Sequence, residues 1–207
     1  SSTLDLSSLD GANGFTIGGT DDFGKAGLSV SSAGDLNNDG IDDIIIGSPE
    51  VEIGGNSQAG EVYVLFGTSS AQTADFSVAS LNGSNGFVFS TGGEGDSVGR
   101  SVSSAGDFNG DGIDDVIIGA PRVDTGDGND AGLIYVVYGS SSSFSSSFDD
   151  GDLNGSNGMV ITSAQGGSRT GYSVHAAGDV NGDGIDDVII GTEFGGPDGV
   201  TEGGVSY

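Results

Sequence analysis

The sequence contains no cysteine and no tryptophan, one histidine, one methionine, and four basic residues against 31 acidic ones. Without cysteine there is neither a disulfide framework nor a thiolate metal site, so the redox compartment cannot be read from it, and secretion is not excluded. A formal charge of -27 argues against nucleic acid phosphates or an anionic membrane surface as partners, and favours cationic ones. No run approaches the roughly 20 apolar residues of a membrane span. The opening SSTLDLSSLD has neither the basic start nor the apolar core of a secretion signal, so any such signal is expected to have been removed or to lie outside this sequence.

What is abundant is glycine, 42 residues of 207, together with serine and acid, a composition that leans toward disorder. Against disorder, the apolar residues gather in short β-branched runs, DIIIG from Asp43 and DVIIG from Asp115 and Asp187, that can bury a core. The acids are gathered too. Twelve of the 31 lie in three nine-residue stretches, DLNNDGIDD from Asp35, DFNGDGIDD from Asp107 and DVNGDGIDD from Asp179, whose starts are 72 residues apart.

The same step relates LDGANGF at Leu9, LNGSNGF at Leu81 and LNGSNGM at Leu153, and the tyrosines Tyr63, Tyr135 and Tyr207. A period this regular means one supersecondary unit copied along the chain. Dividing by the period gives repeats over 1–72, 73–144 and 145–207, the last ending within its third strand. Each unit reads as four short strands and no helix. The first is GLSVSSAGD, GRSVSSAGD or GYSVHAAGD, with small residues that allow close backbone approach. The second is the continuous apolar run after the acidic stretch, which suits a strand buried on both faces. A variable connection leads to the third, GEVYVLFG, GLIYVVYG or GVSY, and the fourth is GFTI, GFVF or GMVI. An all-β fold of four-stranded antiparallel β-propeller blades fits this pattern, whereas solenoid coils repeat over shorter periods and a sandwich has no reason for near-identical units. Three blades do not close a ring, so further blades or another copy of the chain are expected to complete it.

The spacing D-x-N-x-D-G-x-x-D offers side-chain oxygens at positions 1, 3, 5 and 9, a carbonyl at 7, and glycine at 6 for the turn. The ligand sets would be Asp35, Asn37, Asp39, Ile41 and Asp43; Asp107, Asn109, Asp111, Ile113 and Asp115; and Asp179, Asn181, Asp183, Ile185 and Asp187, with each isoleucine contributing its carbonyl. Hard oxygen donors in this number favour Ca²⁺ over Mg²⁺, and the lack of nitrogen and sulfur disfavours Zn²⁺. An EF-hand would need helices and a glutamate at position 12, where this chain has Ile46, Ile118 and Ile190. The alternative is an Asx-rich turn without metal. The extra acid at position 8, Asp42, Asp114 or Asp186, is expected by strand alternation to point away from its neighbour and stays outside the ligand set. His175, aligned with Ser31 and Ser103, is read as a surface or packing residue, and Asp124, Asp127 and Asp130 as a solvated acidic loop rather than a further ion site.

The order G-x-S-V, A-G-D, the acidic loop, I-I-G-A-P and a G-x-x-Y-V strand resembles the FG-GAP repeats of integrin alpha-subunit propellers and their bacterial relatives. The match is clearest over Gly99 to Pro121; the third copy replaces the small-Pro pair with Thr192 and Glu193, and the Phe-Gly survives only as Phe23-Gly24. The resemblance implies a propeller with Ca²⁺ in hairpin loops on one face and protein ligands at the other.

Together these observations point to a non-enzymatic, calcium-binding, extracellular adhesion or protein-interaction module with three Ca²⁺ sites and a protein or glycan ligand, neither bound to nucleic acid nor inserted in a membrane. The alternatives are a carbohydrate-binding propeller, disfavoured by the absence of tryptophan for stacking on sugars, and a non-catalytic propeller domain of a larger secreted enzyme. Phe144 and Phe148 in SSSSFSSSF read as anchors of a linker in the groove between blades. Partner specificity is expected in the variable connections at 50–60, 122–132 and 193–203.

Overall fold

The computed structural model describes residues 5–126, 128–163, 166–195 and 203–207. The strands are β1 (Thr16–Gly18), β2 (Ser29–Gly34), β3 (Asp43–Ser48), β4 (Glu61–Leu65), β5 (Asp75–Ser77), β6 (Gly86–Ser90), β7 (Ser101–Gly106), β8 (Asp115–Ala120), β9 (Leu133–Val137), β10 (Ser147–Phe148), β11 (Gly158–Thr162), β12 (Thr170–Gly178), β13 (Asp187–Thr192) and β14 (Val205–Ser206). Only three single-turn 3-10 segments join them among the described residues, so the chain is all-β.

Strands β2, β3, β4 and β6 form one antiparallel blade, β7, β8, β9 and β11 a second, and β12, β13 and β14 a third. The registers repeat with the sequence: Ile46 faces Tyr63 across one pair and Ile118 faces Tyr135 across the other. The blades are thus offset in phase from a division counted from residue 1, because the GFVF strand closes the sheet begun at Ser29. Two short parallel additions have no counterpart in the sequence reading: β10 lies along β6, and β5 along β1.

Alternation along a strand explains the continuous apolar runs. In the second blade, Val116, Ile118, Tyr135 and Val137 face the first blade and pack with Ile45, Val62, Val64, Phe87 and Phe89. Ile117, Ile134 and Val136 point the other way, against Val174 and Ile190 of the third. Both faces are therefore core, and all six residues of β8 are buried. Each fully buried aliphatic side chain contributes on the order of 1.5–3 kcal/mol. Ile189, the counterpart of Ile45 and Ile117, is 46% exposed on the outer face of the third blade.

Neighbouring blades touch along their first strands, β2 to β7 and β7 to β12, and the three sheets form a partial propeller with no closed ring. At the start of those strands a serine side chain of one blade meets the backbone of the next. Ser29 Oγ donates to the Gly99 carbonyl at 2.8 Å and Ser101 Oγ to the Gly171 carbonyl at 2.9 Å, over Gly47 and Gly119, where a Cβ would collide with those same carbonyls. Between the first two blades, Phe144 stacks on Phe87 with centroids 5.1 Å apart and planes 14° apart, and Phe148 meets the Phe87 ring edgewise at 5.2 Å. The serine-rich segment is a tether anchored by these rings in the inter-blade groove.

Candidate metal centre

Each acidic stretch joins the first strand of a blade to the second. It begins at a β-bulge, where Gly34, Gly106 and Gly178 take φ of 68°, 63° and 65° in the left-handed region that glycine adopts without strain. The three loops then make the same internal hydrogen bonds. In the first, Asp35 Oδ1 accepts from the Asp39 amide at 2.9 Å and Oδ2 from Gly40 at 2.8 Å; Asn37 Oδ1 accepts from Asp39 and Asp39 Oδ1 from Ile41, both at 2.9 Å. Asp107, Asn109 and Asp111 repeat the set with Asp111, Gly112 and Ile113 as donors, and Asp179, Asn181 and Asp183 repeat it with Asp183, Gly184 and Ile185. Amides turned inward thus hold the carboxylates of positions 1 and 5 and the amide oxygen of position 3.

The ninth-position acid has a different environment. Asp43 is buried, with Oδ2 accepting from Leu36 N and Oδ1 from Gly67 N; Asp115 is buried likewise, accepting from Phe108 and Asn109 on one oxygen and from Gly139 on the other. These carboxylates tie the loop to the end of the third strand. Burial pushes Asp43 up to about 6, against the two amide bonds and with help from the charges of Asp39 and Asp35, and pushes Asp115 up to about 7. Asp187 is only half-buried and, among the described residues, accepts from the Val180 amide alone.

The donor set suits a hard cation in kind: three carboxylates, an amide and a carbonyl per loop, with each carboxylate offering about four lone-pair sites and the amides occupying some of them. Among the described residues, no three acidic or histidine side chains converge into a cluster that could hold an ion as they stand. The loops are closed by their own amides. Asp124 Oδ1 accepts the Asp130 amide, and Asp130 pairs with Arg169 at 3.2 Å; Asp127 lies outside the described residues. His175 is exposed, with Nδ1 3.3 Å from Ser103 Oγ of the neighbouring blade.

Two of the position-8 acids, Asp114 and Asp186, reach the preceding blade. Asp114 Oδ2 accepts the Asp35 amide of the preceding blade at 2.8 Å, and Asp186 Oδ2 accepts the Asp107 amide at 3.0 Å. The first two loops are therefore each capped at their start by an acid from the next blade, a link that alternation within one strand could not reveal.

Antiparallel blades stacked along their first strands, each opened by an Asx-rich hairpin loop, define a repeat protein of the propeller class. The chain belongs to the FG-GAP repeat family, which it matches at residues 26–65, 98–137 and 170–207. It is 31% identical over 175 residues to phosphatidylinositol-glycan-specific phospholipase D of Mus musculus, covering 83% of this chain and 19% of that protein. It is 30% identical over 174 residues to integrin alpha-5 of Xenopus laevis, covering 80% of this chain and 14% of the integrin, and 31% identical over 113 residues to integrin alpha-3 of Mus musculus, covering 55% and 9%. The chain spans a fifth or less of the length of these relatives.

Proposed function

We propose that this chain is a non-enzymatic interaction module that works outside the cell and whose three hairpin loops bind Ca²⁺ to hold the blades in place. The observation that carries the reading is the threefold recurrence of one oxygen set with one hydrogen-bond pattern. The first site would be held by Asp35, Asn37, Asp39, the Ile41 carbonyl and Asp43; the second by Asp107, Asn109, Asp111, the Ile113 carbonyl and Asp115; the third by Asp179, Asn181, Asp183, the Ile185 carbonyl and Asp187. The ion supplies positive charge where carboxylates otherwise repel, so binding free energy becomes folding free energy. Open loops of this charge suit dissociation constants of roughly 10⁻⁵ to 10⁻³ M, which extracellular calcium satisfies. The test is thermal melting with calcium and with a chelator: chelation lowers the melting temperature, Asp111→Ala reproduces part of the loss, and an unchanged melt overturns the reading.

The similarity to the phospholipase supports a second reading, a non-catalytic propeller domain within a larger secreted enzyme. The isolated chain would then show the calcium response and no hydrolase activity.

The ends of the blade stack support self-association as well. Among the described residues, Asp42 is exposed and accepts no amide, and no acceptor meets the Asp179 amide. A second copy can supply the missing partner at each end. Light scattering in calcium that finds only monomer at high micromolar concentration would end this reading.

A further inference from the structure

All four basic residues of this strongly acidic chain, Lys25, Arg100, Arg122 and Arg169, line one cleft of about 440 Å³. The cleft sits where the first strands begin and the second strands end, the opposite end of those strands from the acidic loops, some 20 Å away at about 3.3 Å per residue. Its walls come from repeat-equivalent positions of three blades. Positions 25, 97 and 169 read Lys, Ser and Arg, and positions 28, 100 and 172 read Leu, Arg and Tyr, so the three copies differ where they face the cleft. Lys25, Ser97 and Arg169 also take φ of 57°, 57° and 52°. Non-glycine residues in the left-handed region are costly and concentrate at ligand clamps, so this recurrence is a second sign of a working surface.

Two of the cations are neutralised: Lys25 pairs with Glu50 at 2.7 Å, and Arg169 pairs with Glu193 at 2.8 Å and with Asp130 at 3.2 Å. Among the described residues, Arg100 and Arg122 have no acidic partner. Arg100 is nevertheless fixed, with its guanidinium 4.5 Å above the Tyr172 ring and one Nη2 donating to Tyr172 Oη at 2.9 Å. A guanidinium has five donors in a rigid fork matched to a planar carboxylate, and the stacking leaves most of them free.

We propose that this cleft binds a single carboxylate, presented by an acidic side chain of a peptide segment with basic neighbours, and that Arg100 and Arg122 are the groups that hold it. The surrounding charge sets the class. A polyanion would be repelled by a chain of -27, whereas one carboxylate meets two guanidiniums that have no acidic partner among the described residues, and flanking cations meet the rim acids Glu50 and Glu193. The volume lies within the range of about 300–1,000 Å³ usual for ligand sites.

This assignment rests on the interaction-module reading but not on calcium. The probe is fluorescein-labelled Lys-Ser-Asp-Ser-Lys, measured by anisotropy beside its Asn counterpart, with the calcium shift in melting temperature recorded on the same samples. The Asp peptide is expected to bind about tenfold or more tightly than the Asn peptide, and Arg122→Gln and Arg100→Gln each to weaken it about tenfold. Arg122 is exposed, so its variant keeps the fold even if Arg100→Gln does not. Equal affinity for both peptides, no effect of Arg122→Gln, no binding at millimolar peptide, or stronger competition by inorganic phosphate than by acetate would overturn the assignment. A preserved calcium response alongside such a result would leave the metal reading standing.

Discussion

The carboxylate of Asp114 accepts the backbone amide of Asp35, 79 residues earlier and in the neighbouring blade, at 2.8 Å. It lies against Gly34, where a Cβ would collide with it, so bulge, cap and inter-blade contact form one unit. Asp114→Ala leaves that part-buried amide without its acceptor and should destabilise by about 1 kcal/mol, the lower end of the about 1–3 kcal/mol cost of an orphaned buried donor. Asp42→Ala, at the equivalent but exposed position, should stay within about 0.5 kcal/mol. Thermal melts of the two variants in calcium check the difference, and equal losses would remove the inter-blade role.

Gly119→Ala directs a methyl into the Gly171 carbonyl, which is backbone and cannot swing aside. The second and third blades must separate, at about 1–3 kcal/mol for an overpacked contact. Gly191→Ala meets the Ser173 hydroxyl instead, a side chain that can rotate, and should cost visibly less in urea unfolding.

Phe144→Ala removes the ring stacked on Phe87 and also in contact with Phe66, 5.4 Å between centroids. Because Phe144 is only half-buried, the loss should fall at or below the lower end of the about 3–5 kcal/mol seen for fully buried phenylalanines. Near-ultraviolet circular dichroism should lose aromatic signal at the same time. A neutral substitution would mean that the serine-rich tether floats free.

Without calcium, Asp43 and Asp115 make stability depend on pH in a defined direction. Their folded values, about 6 and about 7, lie above the ordinary aspartate value, so the native state holds protons that the unfolded chain releases. Their contribution is fully present below about pH 4 and is lost as pH rises through 6 and 7. Chelated protein should therefore melt higher at pH 5 than at pH 8, with a midpoint above the roughly pH 4 of surface carboxylates. Calcium should weaken or reverse the trend, since ligation requires the deprotonated form. A flat chelated profile between pH 5 and 8 would show that these carboxyls are hydrated.

The period, the four strands and the loops were legible in the sequence because each has a local signature: β-branched runs bounded by glycine, and Asx-Gly turns at fixed spacing. The role of Asp114 was not, because its partner belongs to another copy and nothing near it in sequence indicates the pairing. Strands β5 and β10 escaped as well. They exist only because the chain crossing between blades runs beside an outer strand, and serine and aspartate give no strand signal. The cleft is assembled by three copies at once, although Leu28, Arg100 and Tyr172 at one repeat position were a visible cue.

Because Ile117, Ile134 and Val136 pack with Val174 and Ile190 of the third blade, and Ile45, Val62 and Val64 with Val116, Ile118 and Tyr135 of the second, much of each sheet's burial is realised through its neighbour. Folding free energy then resides in the couplings between sheets, as in a one-dimensional chain of interacting spins. Such a stack unzips from its weakest terminus. Amide protection should grade along the molecule, lowest around β13 and β14, where Ile189 faces water, and highest in β8.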